Sequence, residues 1–479
     1  MPCGFHLPVM PNSLTSDVLF CPSRLLTDDS NNIVCVYTQC KTIQGIISKS
    51  LLQSLFHLTH QFSLVMDFFS NKKSHVESYG KLAARALKTD VPVMVKILEL
   101  TKSAKDPMPL GQGAVYWQPP EQALEKVKQI AWKPSTSRYG AHEGLPELKE
   151  ALTKKLCQEN KLYNSSVMVT AGSNQGFLTL VLTICDVTDS VVLFAPYFFN
   201  ALETFRMTGI TTILIGPTNH RTLQPDADWL EGILNETKPT PKLVSIVNPG
   251  NPSGNCISKP LLKRILDICR KAGSWLVVDN AYEYFVYDGS KHYCVEGDHV
   301  INLFSFSKAY GMMGWRVGYI SYPSDAEDLR TQFLKVQDNV AICAPVISQY
   351  VALYCLEAGC DWVKSKVRSL VKNKEAILNA LLPLGEDAVI GGEGAIYIWA
   401  ILPDRYSNDW EVVCWLVRRH GVVVLPGSAC GGSGCIRITY GAMTHAECEL
   451  AAKRLKNGLE ELVNVGMVED VNVSFNDPE

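Results

Sequence analysis

Short apolar runs that recur through the middle of this 479-residue chain constrain its fold more than any other feature. Each run has the length and composition of a buried parallel strand, and helical patterns such as Lys259–Ala272 separate several of them. This alternation predicts an α/β fold with a mainly parallel seven-stranded sheet and helices on both faces. The predicted strands are Val167–Thr170, Val191–Phe194, Thr212–Ile215, Leu243–Val247, Trp275–Val278, Val300–Phe304 and Val317–Ser321.

Polar motifs directly follow five of these runs. Because right-handed crossovers place the carboxyl ends of parallel strands at one edge of a sheet, we expect the motifs to lie close together there. The motifs are Ala171–Gln175, Ala195–Phe198, Asn248–Gly254, Asp279–Tyr282 and Ser305–Lys308. The pattern therefore predicts a single ligand site at this edge.

The pattern changes beyond about residue 358, where a long helical stretch precedes several short strands. This change predicts a smaller α+β domain that ends in the helix Thr444–Asn464, and Thr444 and Glu447 have the spacing of a capping box. The predicted strands of this domain are Ala395–Ala400, a segment around Gly421–Leu425, and Cys435–Tyr440.

Residues 1–78 have equal numbers of acidic and basic side chains and fit neither a transit peptide nor a secretory signal. We interpret them as a poorly ordered N-terminal extension. The other predicted divisions are 79–134 as an N-terminal arm with part of the small domain, 135–358 as the large cofactor-binding domain, 359–468 as the small C-terminal domain and 469–479 as a tail.

Composition disfavours several classes of partner. The formal net charge is -3, so no global basic field attracts nucleic acid or acidic membrane. No apolar stretch is long enough to span a bilayer. The 16 cysteines are scattered, with no CxxC pair and no zinc-like spacing, which is typical of a reducing compartment. We expect a cytoplasmic protein without nucleic-acid, membrane or metal partners.

Lys308 is the central candidate residue. It lies among small residues after the run Val300–Phe304, with Arg316 eight positions later. An amine that desolvation or nearby positive charge has deprotonated can form a Schiff base with an aldehyde cofactor. Ser305, Ser307 and Arg316 could then hold the phosphate of that cofactor. A lysine taken alone is more often a solvated surface residue, but this run has almost no other charge.

Asp279 ends the predicted strand Trp275–Val278. A carboxylate that faces a pyridine nitrogen keeps that nitrogen protonated, so the ring can accept electrons from a substrate carbanion. The alternative is a helix N-cap or turn aspartate. Tyr282 and Asn251 could hydrogen-bond the phenolic oxygen of the ring, although Asn251 also fits a simple turn.

Other candidates supply the phosphate and carboxylate sites. Gly172, Ser173 and Asn174 open a predicted helix, whose positive end offers NH groups to a phosphate, although glycine turns are often only tight connections. Phe198 is either a ring-stacking side chain or a core residue. Arg437 lies in an otherwise apolar strand, where its partner is either a substrate α-carboxylate or a structural salt bridge.

Together these residues resemble fold-type I pyridoxal-phosphate enzymes, specifically the class I and II aminotransferases. The motifs Asn-Pro-x-Asn-Pro-Ser-Gly, Asp-x-x-Tyr and Ser-x-x-Lys followed by Gly-Trp-Arg carry the resemblance, which covers about residues 85–468. It implies that Lys308 is the Schiff-base lysine and that Asp279 pairs with the pyridine nitrogen. It also implies that Arg437, helped by Gly113, binds the substrate carboxylate. The implied contacts to the ring oxygen and the phosphate come from Asn251, Tyr282, Ser305 and Arg316.

A narrower likeness concerns the plant aromatic/methionine aminotransferases, which use methionine or aromatic amino acids as donors and 2-oxo acids, including indole-3-pyruvate, as acceptors. The chain departs from the broad family at Val115–Trp117, where Pro-Asp-Phe is usual, and at Asn280, where glutamate is common. We expect Tyr116 and Trp117 to line an apolar pocket for the substrate side chain. Tyr139 matches the family tyrosine that reaches the phosphate of a neighbouring subunit, which implies a homodimer with shared active sites.

The predicted reaction transfers an amino group in two half-reactions, from methionine or an aromatic amino acid to a 2-oxo acid such as indole-3-pyruvate or phenylpyruvate. Lys308, once displaced by the amino acid, moves the proton as general base and acid. The alternative on the same scaffold is a carbon–sulfur lyase or a cyclopropane-forming synthase. A transcription regulator with an aminotransferase-like domain is disfavoured, because residues 1–78 offer no basic face.

Overall fold

A computed structural model of the chain describes residues 82–102 and 104–468, together with the backbone of two short strands nearer the N-terminus. The chain divides into two compact units, residues 1–81 and 82–479. In the first unit, Leu26–Thr27 and Ile33–Val34 pair as antiparallel strands.

Two of the predicted segments fall mainly outside this part of the chain. The extension at residues 1–78 is described only at its two short strands, and the tail at residues 469–479 is not described. These boundaries, like the division of residues 79–468 into a large and a small domain, stay predictions.

A seven-stranded sheet lies at the centre of the second unit. Across the sheet, its strands are Ser165–Thr170, Gly318–Pro323, Val300–Ser305, Trp275–Asp279, Leu243–Val247, Ser190–Phe194 and Thr212–Gly216. The strands from Val300–Ser305 to Thr212–Gly216 are mutually parallel. Gly318–Pro323 runs antiparallel to both of its neighbours, although the sequence grouped it with the parallel runs. The predicted α/β fold with a mainly parallel sheet is confirmed.

Helices cover both faces of this sheet, which explains why its strands are apolar without alternation. In the strand Trp275–Asp279, Leu276 and Val278 pack into one buried cluster, while Val277 packs into another. The α-helices described between residues 82 and 357 are Ala84–Lys88, Val93–Thr101, Glu121–Ile130, Pro146–Lys155, Ser173–Ile184, Phe199–Thr208, Ala227–Glu236, Lys259–Ala272, Phe306–Ala309, Glu327–Val340 and Val346–Glu357.

A four-stranded antiparallel sheet follows later in the chain. Its strands, in order across the sheet, are Val389–Ile390, Tyr397–Ile401, Cys435–Thr439 and Leu425–Pro426. Separately, Met108–Pro109 pairs in parallel with Val422–Val423, so the early chain contacts this later part. The α-helices described after residue 357 are Gly359–Ser369, Val371–Leu381, Asp409–Trp415 and His445–Asn464.

The predicted start of the last helix is confirmed. Thr444 and Glu447 form a reciprocal capping box at the N-terminus of His445–Asn464. Among the residues that the structure describes, no helix has the length and apolarity to cross a membrane, and no group of side chains could hold a metal ion.

Candidate active site

The polar motifs meet at the carboxyl edge of the seven-stranded sheet. Asp279, Ser173, Asn174 and Phe198 line one cavity, although they come from three different motifs. Asn248 opens a fourth motif, and its backbone NH donates to the carbonyl oxygen of Asp279 at 2.8 Å. The convergence expected from parallel-strand geometry is therefore observed.

Asp279 is the last residue of its strand, and its side chain faces the cavity. Its Oδ1 accepts a hydrogen bond from the backbone NH of Ala281 at 2.9 Å. Burial raises the pKa of Asp279 to about 6, against 3.8 for the free side chain. No Lys, Arg or His among the described residues forms an ion pair with it. An enclosed carboxyl without a cationic partner suits a ligand that brings a positive charge, such as a protonated pyridine.

Lys308 lies in the short helix Phe306–Ala309, directly after the strand that ends at Ser305. The Ser305 hydroxyl caps this helix by accepting from the backbone NH of Ser307 at 3.1 Å. The Lys308 Nζ donates to the carbonyl oxygen of Gly113. Burial, and then the positive charges of Arg437 and Arg316, lower the pKa of Lys308 to about 8. This amine loses its proton far more readily than a surface lysine does.

Gly172 and Arg316 meet at the N-terminus of the helix Ser173–Ile184. Gly172 has a φ of 85°, and a Cβ there would lie 2.3 Å from Nη2 of Arg316. Arg316 itself has a φ of 54°, and its Nη1 donates to the Met313 carbonyl at 2.9 Å. No side chain caps the first turn of the helix. Free NH groups beside a fixed guanidinium suit a phosphate.

Arg437 is a buried cation, with 2% of its surface exposed. Its Nη1 donates to Oδ1 of Asn251 at 2.8 Å, and its Nη2 donates to the carbonyl oxygen of Gly111 at 2.7 Å. Its Nε is buried and has no hydrogen-bond partner among the residues that the structure describes. Arg437 forms no ion pair with any described carboxylate, so these residues give no support to the alternative of a structural salt bridge. A buried guanidinium with unused donor capacity suits a carboxylate ligand.

Tyr397 is a member of this constellation that sequence reasoning missed. Its hydroxyl shares a hydrogen bond with the hydroxyl of Tyr282, and its ring centroid lies 4.3 Å from the guanidinium of Arg437. A Cβ on Gly113 would lie 2.1 Å from the Tyr397 hydroxyl, so only glycine fits there without rearrangement. In the sequence, Tyr397 stands in an apolar strand and has the pattern of a core residue, and no local signal separates the two roles.

Tyr116 and Trp117, which we expected to line an apolar pocket for the substrate side chain, both contact other parts of the chain. Trp117 is buried, its ring stacks on Phe285 at 6.2 Å, and its Nε1 donates to the carbonyl oxygen of Ala309 at 3.3 Å. Tyr116 is half-buried, and its hydroxyl bonds to Oγ of Ser369 at 2.8 Å. Trp117 therefore supports the backbone next to Lys308 from the core, and a pocket role for either side chain stays a prediction.

Tyr139 is the predicted site residue that stands apart. Its side chain is 83% exposed and makes no hydrogen bond to the other candidate residues of this chain. Phe198, in contrast, borders the cavity next to Asp279, as a ring-stacking residue would. Asn280, the unusual neighbour of Asp279, is buried, and its Oδ1 bonds to Nε2 of His292 at 2.9 Å.

The donor set fits pyridoxal phosphate on three separate observations. Asp279 has no cationic partner in the described chain, the helix N-terminus beside Arg316 lacks a side-chain cap, and the Lys308 amine has a lowered pKa. These groups match, respectively, a pyridinium, a phosphate and an aldehyde. No metal is needed for this match.

The model of the protein family described as "Aminotransferase class I and II" matches residues 105–455. Aromatic aminotransferase ISS1 from Arabidopsis thaliana is 57% identical over 392 residues, which cover 82% of this chain and 100% of that protein. Aromatic-amino-acid aminotransferase 2 from Thermococcus litoralis is 27% identical and covers 76% of this chain and 95% of its own length.

Solved structures show the same fold. The aromatic aminotransferase from Pyrococcus horikoshii superposes with a TM-score of 0.68 at 26% identity, over 76% of this chain and 99% of that one. The aspartate aminotransferase from Thermus thermophilus with maleate has a TM-score of 0.71 at 24% identity, over 79% of this chain and 100% of that one. The resemblance first indicated by the motifs is confirmed: this chain belongs to the class I and II aminotransferases and is an enzyme that depends on pyridoxal phosphate.

Proposed function

We propose that this enzyme transfers the amino group of an aromatic amino acid or methionine to a 2-oxo acid such as indole-3-pyruvate or phenylpyruvate. The observation that carries the aromatic assignment is the 57% identity to an aromatic aminotransferase over the whole length of that relative. An aromatic amino acid and methionine share an α-carboxylate and a large apolar side chain. The buried guanidinium of Arg437 supports recognition of the α-carboxylate. The methionine and acceptor assignments rest on the motif likeness.

Lys308 has the position and acidity that proton transfer requires. With a pKa of about 8, a fraction of this amine is unprotonated at neutral pH, so its Nζ can accept the proton of the substrate α-carbon and return it. Bound pyridoxal phosphate supplies the electron sink for the charge that develops on that carbon. Asp279 holds a positive charge opposite its carboxylate and so keeps the sink effective.

Arg437 and Asn251 orient the substrate. The guanidinium already donates to Asn251 and to the Gly111 carbonyl, and these bonds restrict its rotation before any ligand arrives. A carboxylate that binds this preorganised cation therefore loses little affinity to side-chain ordering. Gly113 leaves room beside Tyr397, and its carbonyl holds the Lys308 amine.

We further propose a homodimer in which Tyr139 of one subunit completes the phosphate site of the other. The 83% exposure of Tyr139, together with the 89% exposure of Trp132 seven residues earlier, supports an aromatic surface that a partner covers. Tyr139 is exposed and forms no hydrogen bond with the described phosphate-site residues of its own chain, which is consistent with a role in trans.

The substrate assignment is tested by measuring kcat/KM for tryptophan, tyrosine, phenylalanine, methionine and aspartate against a panel of 2-oxo acids. We expect the aromatic donors and methionine to exceed aspartate by at least about tenfold, since an unfilled apolar pocket forfeits a few kcal/mol. A preference for aspartate would contradict the proposal. Release of ammonia in place of a 2-oxo acid product would favour the lyase alternative.

The role of Lys308 is tested by Lys308→Ala. We expect turnover to fall by at least about 1,000-fold, because the variant lacks both the nucleophile and the proton-transfer group. The visible absorbance of the bound cofactor should also change. Lys335→Ala removes an exposed lysine as the matched control and should leave both readouts unchanged. Full activity in Lys308→Ala would reject the assignment.

A further inference from the structure

We propose that Tyr397 is a positioning residue that orients the Tyr282 hydroxyl through a hydrogen bond and the Arg437 guanidinium through its ring. This inference deepens the proposed function and rests on it, since Tyr282 and Arg437 act there on the cofactor and on the substrate carboxylate. The sequence motifs did not indicate Tyr397 as a site residue.

The contacts of Tyr397 join groups that would otherwise be independent. Its hydroxyl bonds to the Tyr282 hydroxyl, and the two ring centroids are 5.4 Å apart at an interplanar angle of 76°. Its ring lies 4.3 Å from the Arg437 guanidinium. Its hydroxyl also occupies the space where Gly113 would carry a Cβ. The Tyr397 side chain therefore lies against Gly113, whose carbonyl accepts from Lys308, and also contacts Tyr282 and Arg437.

These contacts bridge two sheets. Tyr397 begins the strand Tyr397–Ile401 of the four-stranded sheet, where it pairs with Thr439. Tyr282 follows the strand Trp275–Asp279 of the seven-stranded sheet. Both side chains are almost completely buried, with 1% and 4% of their surfaces exposed. A bridge this enclosed has few alternative arrangements, so it fixes the relative positions of the cofactor and substrate groups.

The hydroxyl pair has a preferred direction once a ligand is bound. Burial raises the pKa of both phenols, so each keeps one proton at neutral pH. Either hydroxyl could be the donor in this pair, so the Tyr282 oxygen can accept the proton of Tyr397. The Tyr282 proton is then free to point at the ring oxygen of the cofactor. Donor chains of this kind strengthen each successive hydrogen bond.

The ring of Tyr397 acts separately on Arg437. The guanidinium carbon of Arg437 lies over the Tyr397 ring, while Asn251 and the Gly111 carbonyl accept hydrogen bonds from its two Nη atoms. The buried Nε has no hydrogen-bond partner in the described part of the chain and remains available to a carboxylate. Loss of the ring would let the guanidinium tilt, whereas loss of the hydroxyl alone would not.

The hydroxyl is tested in the holoenzyme by Tyr397→Phe, with Tyr440→Phe as the matched control. Tyr440 is equally buried, but its hydroxyl donates to the Ala395 carbonyl at 3.1 Å, away from Tyr282. The readout is the pH midpoint at which the visible absorbance of the bound cofactor changes. A hydrogen bond to the ring oxygen offsets its negative charge, which otherwise favours a proton on the Lys308 nitrogen. We therefore expect Tyr397→Phe to raise the midpoint by about 0.7 pH unit, equivalent to about 1 kcal/mol.

The ring is tested by Tyr397→Leu. We expect KM for the amino acid to rise by about tenfold over that of Tyr397→Phe, because only the leucine variant removes the aromatic face. An unchanged pH midpoint in Tyr397→Phe, or a shift that Tyr440→Phe reproduces, would overturn the hydroxyl role. Equal KM values in the two Tyr397 variants would overturn the ring role. A wild-type protein without a cofactor chromophore would instead reject the proposed function.

Discussion

The most informative residues of this enzyme are charged groups that the chain encloses without giving them a counter-charge. Among the described residues, Asp279 has no cationic partner, and the buried Arg437 forms no ion pair with a carboxylate. Enclosed charges of this kind destabilise a folded protein unless a partner compensates them. We infer that the cofactor and the substrate supply the missing charges, so that ligand binding and folding stability are coupled.

This coupling predicts an effect of Asp279→Asn on the protein without cofactor. The pKa of Asp279 is about 6 in the folded state and 3.8 in the unfolded state, so the folded state binds more protons between these values. Stability therefore falls as the pH rises from about 4 to about 6, and it stays lower above that range. We expect the variant to be more stable than the wild type at pH 8 by about 2–3 kcal/mol, and about equal at pH 3.5.

Urea denaturation of the two apoproteins at both pH values measures this difference. The control is Asp387→Asn, which changes an exposed aspartate and should leave stability unchanged at either pH. If Asp279→Asn were no more stable than the wild type at pH 8, the carboxyl would have an unidentified compensating partner.

At the scale of elements, the helix Ser173–Ile184 contributes the backbone NH groups of its N-terminus to an anion site, and no described side chain caps them. Gly172 precedes it with a φ of 85°, and its missing side chain leaves the space that the Arg316 guanidinium occupies. A turn, a helix and an arginine from a later part of the chain thus form one anion site.

The substitution Gly172→Ala, compared with a control glycine, distinguishes the anion-binding role of Gly172 from the effect of backbone strain. We expect it to weaken the binding of pyridoxal phosphate by at least about tenfold, because the added Cβ displaces the guanidinium. Gly273→Ala is the matched control, since Gly273 has a φ of 75° and an added Cβ there meets nothing within 4 Å. Both variants should lose similar stability, and equilibrium titration with the cofactor should distinguish them. Equal cofactor affinity would contradict the anion site.

At the scale of the whole molecule, the exposed Tyr139 predicts subunit complementation. Lys308→Ala and Tyr139→Ala should each be nearly inactive as homodimers. If active sites are shared, a mixed dimer contains one complete site, because Tyr139 of the first variant and Lys308 of the second meet in it. Random pairing of co-expressed chains should then restore about a quarter of the wild-type activity.

The control for this experiment pairs two variants whose changed residues both belong to the subunit's own active site. Co-expression of Lys308→Ala with Asp279→Asn leaves every mixed site with one defect, so no activity should return. Equal recovery in both pairings, or no recovery in either, would show that Tyr139 does not act in trans.

Local pattern was enough to predict much of this protein. The predicted strands of the seven-stranded sheet lie within one or two residues of the observed ones, because burial on both faces makes a strand apolar throughout its length. The segment predicted around Gly421–Leu425 is instead two short strands, Val422–Val423 and Leu425–Pro426, which pair in different sheets. Lys308, Asp279 and Arg437 were identifiable because charged residues directly after or within apolar runs are rare and chemically demanding.

Other features depend on contacts between distant parts of the chain and have no local signal. The antiparallel direction of Gly318–Pro323 follows from its neighbours in the sheet, and its composition matches that of a parallel strand. The hydrogen bond between Tyr282 and Tyr397 joins residues 115 positions apart, and Arg437 reaches Gly111 across 326 positions. The apolar strand around Tyr397 predicts that its side chain is buried. Only the tertiary packing determines that it contacts the Tyr282 hydroxyl and the Arg437 guanidinium.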